Sequence, residues 1–159
     1  MLLLILSLPA CGTIDPVIDN THEICAGLAV VPSVEATADE LAAVDEALAL
    51  WHAAGVTGLV VGDAPDLPTV LIRFQDAAPL FNGVYDDEAG VIYVNHRLSD
   101  SRERAVTVAH ELGHVFGLVH VSAAVRLSVM NPNNLTVPPT RDDWLAAMSL
   151  GASCVLDAQ

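Results

Sequence analysis

The chain has 159 residues, enough for one domain with a sizeable core. Its formal charge is −14 and all six basic residues are arginine, a balance that argues against a nucleic-acid partner and against electrostatic attachment to an anionic bilayer. The hydrophobic fraction of 53% suits a packed α/β domain.

Residues 1–10 form an apolar run that ends in Leu8, Pro9 and Ala10, just before Cys11 and Gly12. The run is too short to cross a bilayer and lacks the positive leader of an export signal. A small residue followed by a cysteine nevertheless resembles the lipoprotein signal of bacteria, in which Cys11 would carry the lipid. An ordinary buried strand with a structural Cys11 is the alternative. Residues 12–23 are polar, acidic and proline-containing, and read as a tether with no prodomain. The folded domain is therefore expected over 24–159.

Residues 24–31 are apolar and predict a buried strand. Thr37 and Glu40 have capping-box spacing, Leu41, Val44, Leu48 and Trp51 mark one helical face, and Gly55 ends the helix. His52, near that end, reads as a surface residue. Strands are expected over 57–61 and 69–74, separated by the turn-rich 62–68. Residues 83–85 and 91–94 predict a hairpin joined by the acidic 86–90. Asp86, Asp87 and Glu88 offer oxygens to calcium, but a solvated hairpin tip is the preferred reading, since the spaced ligand loop that calcium uses is missing. His96 reads as structural or exposed. After a short connection at 121–127 and a turn-forming stretch at 131–139, Thr140 and Asp143 begin a last helix. Trp144, Leu145 and Met148 are expected to face inward there, and Gly151 to end it.

The chemistry concentrates in His110-Glu111-Leu112-Gly113-His114, followed by Gly117 and His120. Residues four apart share a helix face, so His110 and His114 can aim at one point. Asp100 is a fitting N-cap, with Glu103 three residues on. Ala105, Ala109, Leu112 and Phe116 make an apolar stripe roughly opposite the histidines. Gly117 readily turns left-handed, ends the helix and lets the chain return His120 to the same point. Three imidazoles with an open fourth position are a catalytic zinc arrangement, and Glu111 beside that position can deprotonate a water.

These five positions, with Met130 ten residues after His120, match the signature of the metzincin zinc peptidases. The resemblance is closest to the matrixin-like branch and is strong only in the C-terminal third. It implies a twisted, mostly parallel sheet with an antiparallel edge strand, two long helices and a small C-terminal helical subdomain. It also implies peptide hydrolysis, with one zinc ion on His110, His114 and His120, Glu111 as general base, and Met130 in a hydrophobic turn beneath. By the same resemblance Gly83, Val84 and Tyr85 would form the edge that pairs with extended substrate. Pro132 would line the pocket for the side chain after the cut bond. Some branches place a zinc-side tyrosine two residues after the methionine; Pro132 stands there here, so no help from a tyrosine is expected.

With Cys11 lipidated, Cys25 and Cys154 remain as a pair that an oxidising compartment would bridge. The sharper alternative, a zinc-blocking Cys25 as in some matrixin proforms, lacks the matching surroundings. The expected protein is a monomeric, extracytoplasmic peptidase of the cell envelope, touching the membrane by its lipid alone. Two rivals share the motif: a lipid-anchored binding protein that keeps zinc for stability, and an amidase acting on a non-peptide amide.

Overall fold

The computed structural model describes residues 18, 20–152 and 154, and here the local signals resolve into five strands and three helices. The strands are β1 (Leu28–Pro32), β2 (Leu59–Val61), β3 (Thr69–Gln75), β4 (Gly83–Asp86) and β5 (Val91–Asn95); the helices are α1 (Ala38–Ala54), α2 (Ser101–Val115) and α3 (Arg141–Leu150). The sheet order is β2-β1-β3-β5-β4, parallel throughout except for β4, which runs antiparallel at the edge. The architecture is α/β with a mostly parallel sheet. In β3, Val70 and Ile72 are buried while Thr69, Leu71 and Arg73 are exposed, so one face carries the core and the other meets solvent.

Helix α1 starts on the expected capping box. The Glu40 backbone N–H donates to Thr37 Oγ1, and the Glu40 carboxylate accepts the Thr37 N–H at 2.8 Å. That carboxylate is buried and also holds His96 Nδ1 at 2.7 Å, tying α1 to the end of β5. His96 is itself half exposed, so both readings of it hold, and His52 lies at the surface. Leu41, expected inward, is 39% exposed, because Glu40 and Ala43 take the inner positions. Trp51 is fully buried, packs edge-on against Phe116 at 5.3 Å and donates its indole N–H to the Ala109 carbonyl at 3.0 Å. It fixes α1 against α2 one residue before His110.

Three other expectations need correction. The first strand starts at Leu28, not at residue 24, because residues 24–26 turn and Gly27 sits at φ +78°, conformations that interrupt a ladder. Leu145 is 38% exposed, and the inward positions of α3 belong to Asp143 and Ala147 with Trp144 and Met148 partly covered. The described part of the 12–23 tether does not hang free: Ile18 packs on the core, His22 donates its N–H to the Val115 carbonyl at 2.8 Å, and Tyr85 donates its hydroxyl to the Asn20 carbonyl at 2.6 Å. Cys11 and the apolar run before it lie outside the described residues, and no helix among the described residues is long and apolar enough to cross a membrane.

Cys25 and Cys154 form a disulfide with Cα atoms 5.6 Å apart, which removes Cys25 as a zinc-blocking thiol. An intramolecular disulfide points to an extracytoplasmic location. It spans 129 residues, so in the chain-entropy account it restricts the unfolded chain by about 5 kcal/mol, an upper bound on its contribution. Cys25→Ala with Cys154→Ala is expected to shift the urea midpoint clearly downward, and wild-type protein in reductant should follow it. Identical midpoints would show that the bridge adds nothing.

Candidate metal centre

Helix α2 opens on Asp100, whose side chain accepts the Glu103 N–H, and ends at Phe116, after which Gly117 adopts φ +83°. Apart from its exposed first turn and His114, it is buried on nearly every side, more completely than the single apolar stripe foretold. The left-handed glycine sends the chain back so that the three imidazoles meet. Ring centroids of His110, His114 and His120 lie 5.0, 5.1 and 4.9 Å apart, a nearly equilateral triangle. One nitrogen from each ring lies within 4.8 Å of the others, a group that can hold a metal ion.

Two of the rings are fixed by backbone carbonyls. His110 Nδ1 faces the Val129 carbonyl at 2.6 Å, and His114 Nδ1 faces the Leu118 carbonyl at 2.8 Å. A carbonyl only accepts, so in both rings Nδ1 carries the proton and Nε2 keeps its lone pair. His110 Nε2 and His120 Nε2 are 3.0 Å apart, so these lone pairs converge rather than diverge. Burial, and then the neighbouring His114, push His110 down to about 4; burial pushes His114 down to about 4 as well. Both rings are therefore neutral at pH 7, the form a metal ion binds. The donor set suits a borderline cation such as zinc, which accepts imidazole nitrogen at roughly 2.0–2.1 Å.

Glu111 is buried between this triangle and the sheet edge. A Cβ placed on Gly83 would meet Thr107 Cγ2 at 2.8 Å and Glu111 Oε1 at 3.0 Å, so only glycine lets β4 lie this close to the helix. Burial pushes the Glu111 carboxyl up to about 8, against the pull of the Tyr85 backbone N–H that bonds to it. A divalent cation on the adjacent imidazoles would reverse that preference for the neutral form.

The triangle opens into a cavity of about 460 Å³. Its walls include Gly83, Val84, Tyr85 and Pro132, the four residues that the resemblance assigned to substrate, together with the three histidines and Glu111. Tyr85 contributes backbone more than side chain, since its ring is buried and its hydroxyl is engaged with Asn20. The acidic hairpin holds itself together: Asp86 Oδ1 accepts the Ala89 N–H at 3.0 Å.

Met130 lies beneath the motif. A Cβ on Gly113 would clash with the Met130 sulfur, with Trp51 close behind. The turn carrying Met130 hangs on Asp143, a fully buried carboxylate that the sequence pattern marked only as a helix start. It accepts from Ser128 Oγ at 2.5 Å, the Val129 N–H at 3.2 Å, the Thr140 N–H at 2.9 Å and Arg126 Nη1 at 2.6 Å. Asn131 closes the same turn, its amide donating to the Val121 and Arg126 carbonyls. The capping spacing of Thr140 and Asp143 was visible; that the cap also bonds a turn twelve or more residues upstream was not.

No protein-family model and no curated protein matches the chain.

Two outcomes follow from this geometry. Gly113→Ala should destabilise the protein, because overpacking costs about 1–3 kcal/mol and outweighs a helix-propensity gain of at most about 1 kcal/mol; thermal unfolding and metal titration should both register it. Asp143 is held below its ordinary value by its hydrogen bonds from Ser128, Thr140 and Arg126, which outweigh the opposing effect of burial. Its contribution is thus complete above the unfolded value near 3.9 and lost as pH falls through the lower folded value. Asp143→Asn should be less stable at pH 7 and lose less on acidification than wild type, as read from unfolding midpoints between about pH 7 and 3.

Proposed function

We propose that the protein is a zinc-dependent endopeptidase of the metzincin type, matrixin-like in its C-terminal third. The observation that carries this reading is the position of Glu111: a buried carboxylate that lines the same cavity as three converging imidazoles, directly under an edge strand. A site built for stability alone has no use for a carboxylate beside an open metal position.

His110, His114 and His120 would hold the ion through nitrogen, with His110 and His114 already in the required tautomer. When bound, zinc supplies Lewis-acid polarisation of the scissile carbonyl and a water of lowered pKa. Glu111 takes a proton from the attacking water as its oxygen bonds to the carbonyl carbon. It then returns that proton to the departing amide nitrogen as the C–N bond breaks. β4 has no strand on its outer side among the described residues, so apart from the Tyr85 N–H that Glu111 engages its edge is open to an extended peptide by strand addition. Val84 and Pro132 give the wall of the cavity an apolar character that suits aliphatic or aromatic side chains. The setting we propose is the cell envelope, with Cys11 carrying a lipid.

Glu111→Gln should retain stoichiometric zinc and lose about 10²–10⁴-fold in hydrolysis of a peptide library, followed by mass spectrometry. Unchanged hydrolysis would take Glu111 out of the chemistry. A zinc-loaded wild type that cuts no peptide and no unfolded protein would favour the binding-protein reading, and cleavage of a non-peptide amide alone would favour the amidase.

A further inference from the structure

We infer that Asn134 is a positioning residue for the metal centre, acting through the carbonyl that orients His110. The inference rests on the metal-binding reading of the three histidines and adds a residue that neither the motif nor the turn around Met130 contains.

The Val129 carbonyl accepts twice, from His110 Nδ1 at 2.6 Å and from Asn134 Nδ2 at 3.1 Å. Those two bonds use both of its lone pairs. Asp143 holds the N–H of the same residue, so Val129 is gripped at both polar ends. The two grips differ in what else they do. Asp143 also organises the start of α3 and pairs with Arg126, so its loss disturbs a whole corner of the fold. Asn134 acts on the carbonyl and on its own loop alone.

The orientation of the Asn134 amide follows from its neighbours. Nδ2 also donates to the Val137 carbonyl at 2.7 Å, while Oδ1 accepts the Thr136 N–H at 3.1 Å and the Val137 N–H at 2.8 Å. A flipped amide would set oxygen against two carbonyls and NH₂ against two N–H groups, losing every bond. The position therefore demands two donors and two acceptors on one short planar tip, which asparagine alone supplies. Its loop in turn brings Pro132 and Asn133 to the cavity wall, and Asn133 takes φ +56° to make the bend. A ring whose Nδ1 acceptor can swing loses the aim of its Nε2, and partners of this kind typically set metal affinity within one to two orders of magnitude.

The test uses the full chain, with Asn134→Ala and the nearly isosteric Asn134→Leu, which removes every hydrogen bond. Zn²⁺ affinity is measured by chelator competition, the visible spectrum is recorded with Co²⁺ in place of zinc, and unfolding is followed in the metal-free state. The expected result is Zn²⁺ binding roughly 10- to 100-fold weaker, with an altered Co²⁺ band. Wild-type affinity and an unchanged Co²⁺ band would reduce Asn134 to a loop staple and overturn the inference, whatever happens to metal-free stability. Failure of both variants to fold would overturn it in the same way. A wild type that takes up neither Zn²⁺ nor Co²⁺ would instead remove the metal centre, and Proposed function with it.

Discussion

An imidazole can offer a metal only the nitrogen that does not carry its proton, and it is useful only if that nitrogen points at the shared spot. The whole site depends on this constraint. In this chain it is met without any carboxylate behind His110 or His114: each Nδ1–H is held by a backbone carbonyl, Val129 in one case and Leu118 in the other. The Leu118 carbonyl belongs to the turn that the left-handed Gly117 creates, so the residue that ends the helix also orients the second histidine. The Val129 carbonyl belongs to the turn that Asp143 and Asn134 suspend. Two separate turns, one at Leu118 and one at Val129, thereby set the aim of two rings one helical turn apart.

Helix α2 shows what this costs in stability. Burying His110 and Glu111 in a segment covered on nearly every side pushes both toward their neutral forms, an arrangement unfavourable to a merely structural helix. The offset comes from the apolar contacts around it. Trp51 reaches across from α1 to bond the Ala109 carbonyl, and Met130 fills the space that the missing side chain of Gly113 leaves open. Gly83 plays the same part on the opposite side, where it lets the edge strand rest on Glu111 and Thr107. Two glycines in the motif region thus serve close approach, not turning.

Much of this was legible in the residues themselves. Hydrophobic period and capping spacing located α1, α2 and the β4–β5 hairpin, and the i, i+4 histidines with Gly117 and His120 located the triangle. What escaped the pattern is polar residues on inner faces. Glu40 and Asp143 are charged side chains that period alone places outside, and Leu41 and Leu145 are apolar ones that it places inside. Each inversion has one cause: a buried carboxylate or amide satisfied by several backbone N–H or C=O groups is as well accommodated as a leucine, and which groups will be near cannot be read from linear spacing. The anchoring of the described residues 20–22, at the end of the expected tether, escaped the pattern for a related reason, since the groups that hold Asn20 and His22 are Tyr85 and the Val115 carbonyl, distant in sequence.

The neutral backing of the histidines has a chemical consequence. A carboxylate behind an imidazole makes the ring more basic and feeds negative charge toward the ion, whereas a carbonyl does so far less. With uncharged ligands and uncharged partners at His110 and His114, a divalent ion held here keeps more of its charge for the carbonyl or water it meets. The nearest full negative charge is then Glu111 itself, which a cation would favour ionised despite its burial. Glu111 and an ion held on the three histidines would each favour the other's charge, and no other acidic side chain among the described residues joins the histidine cluster.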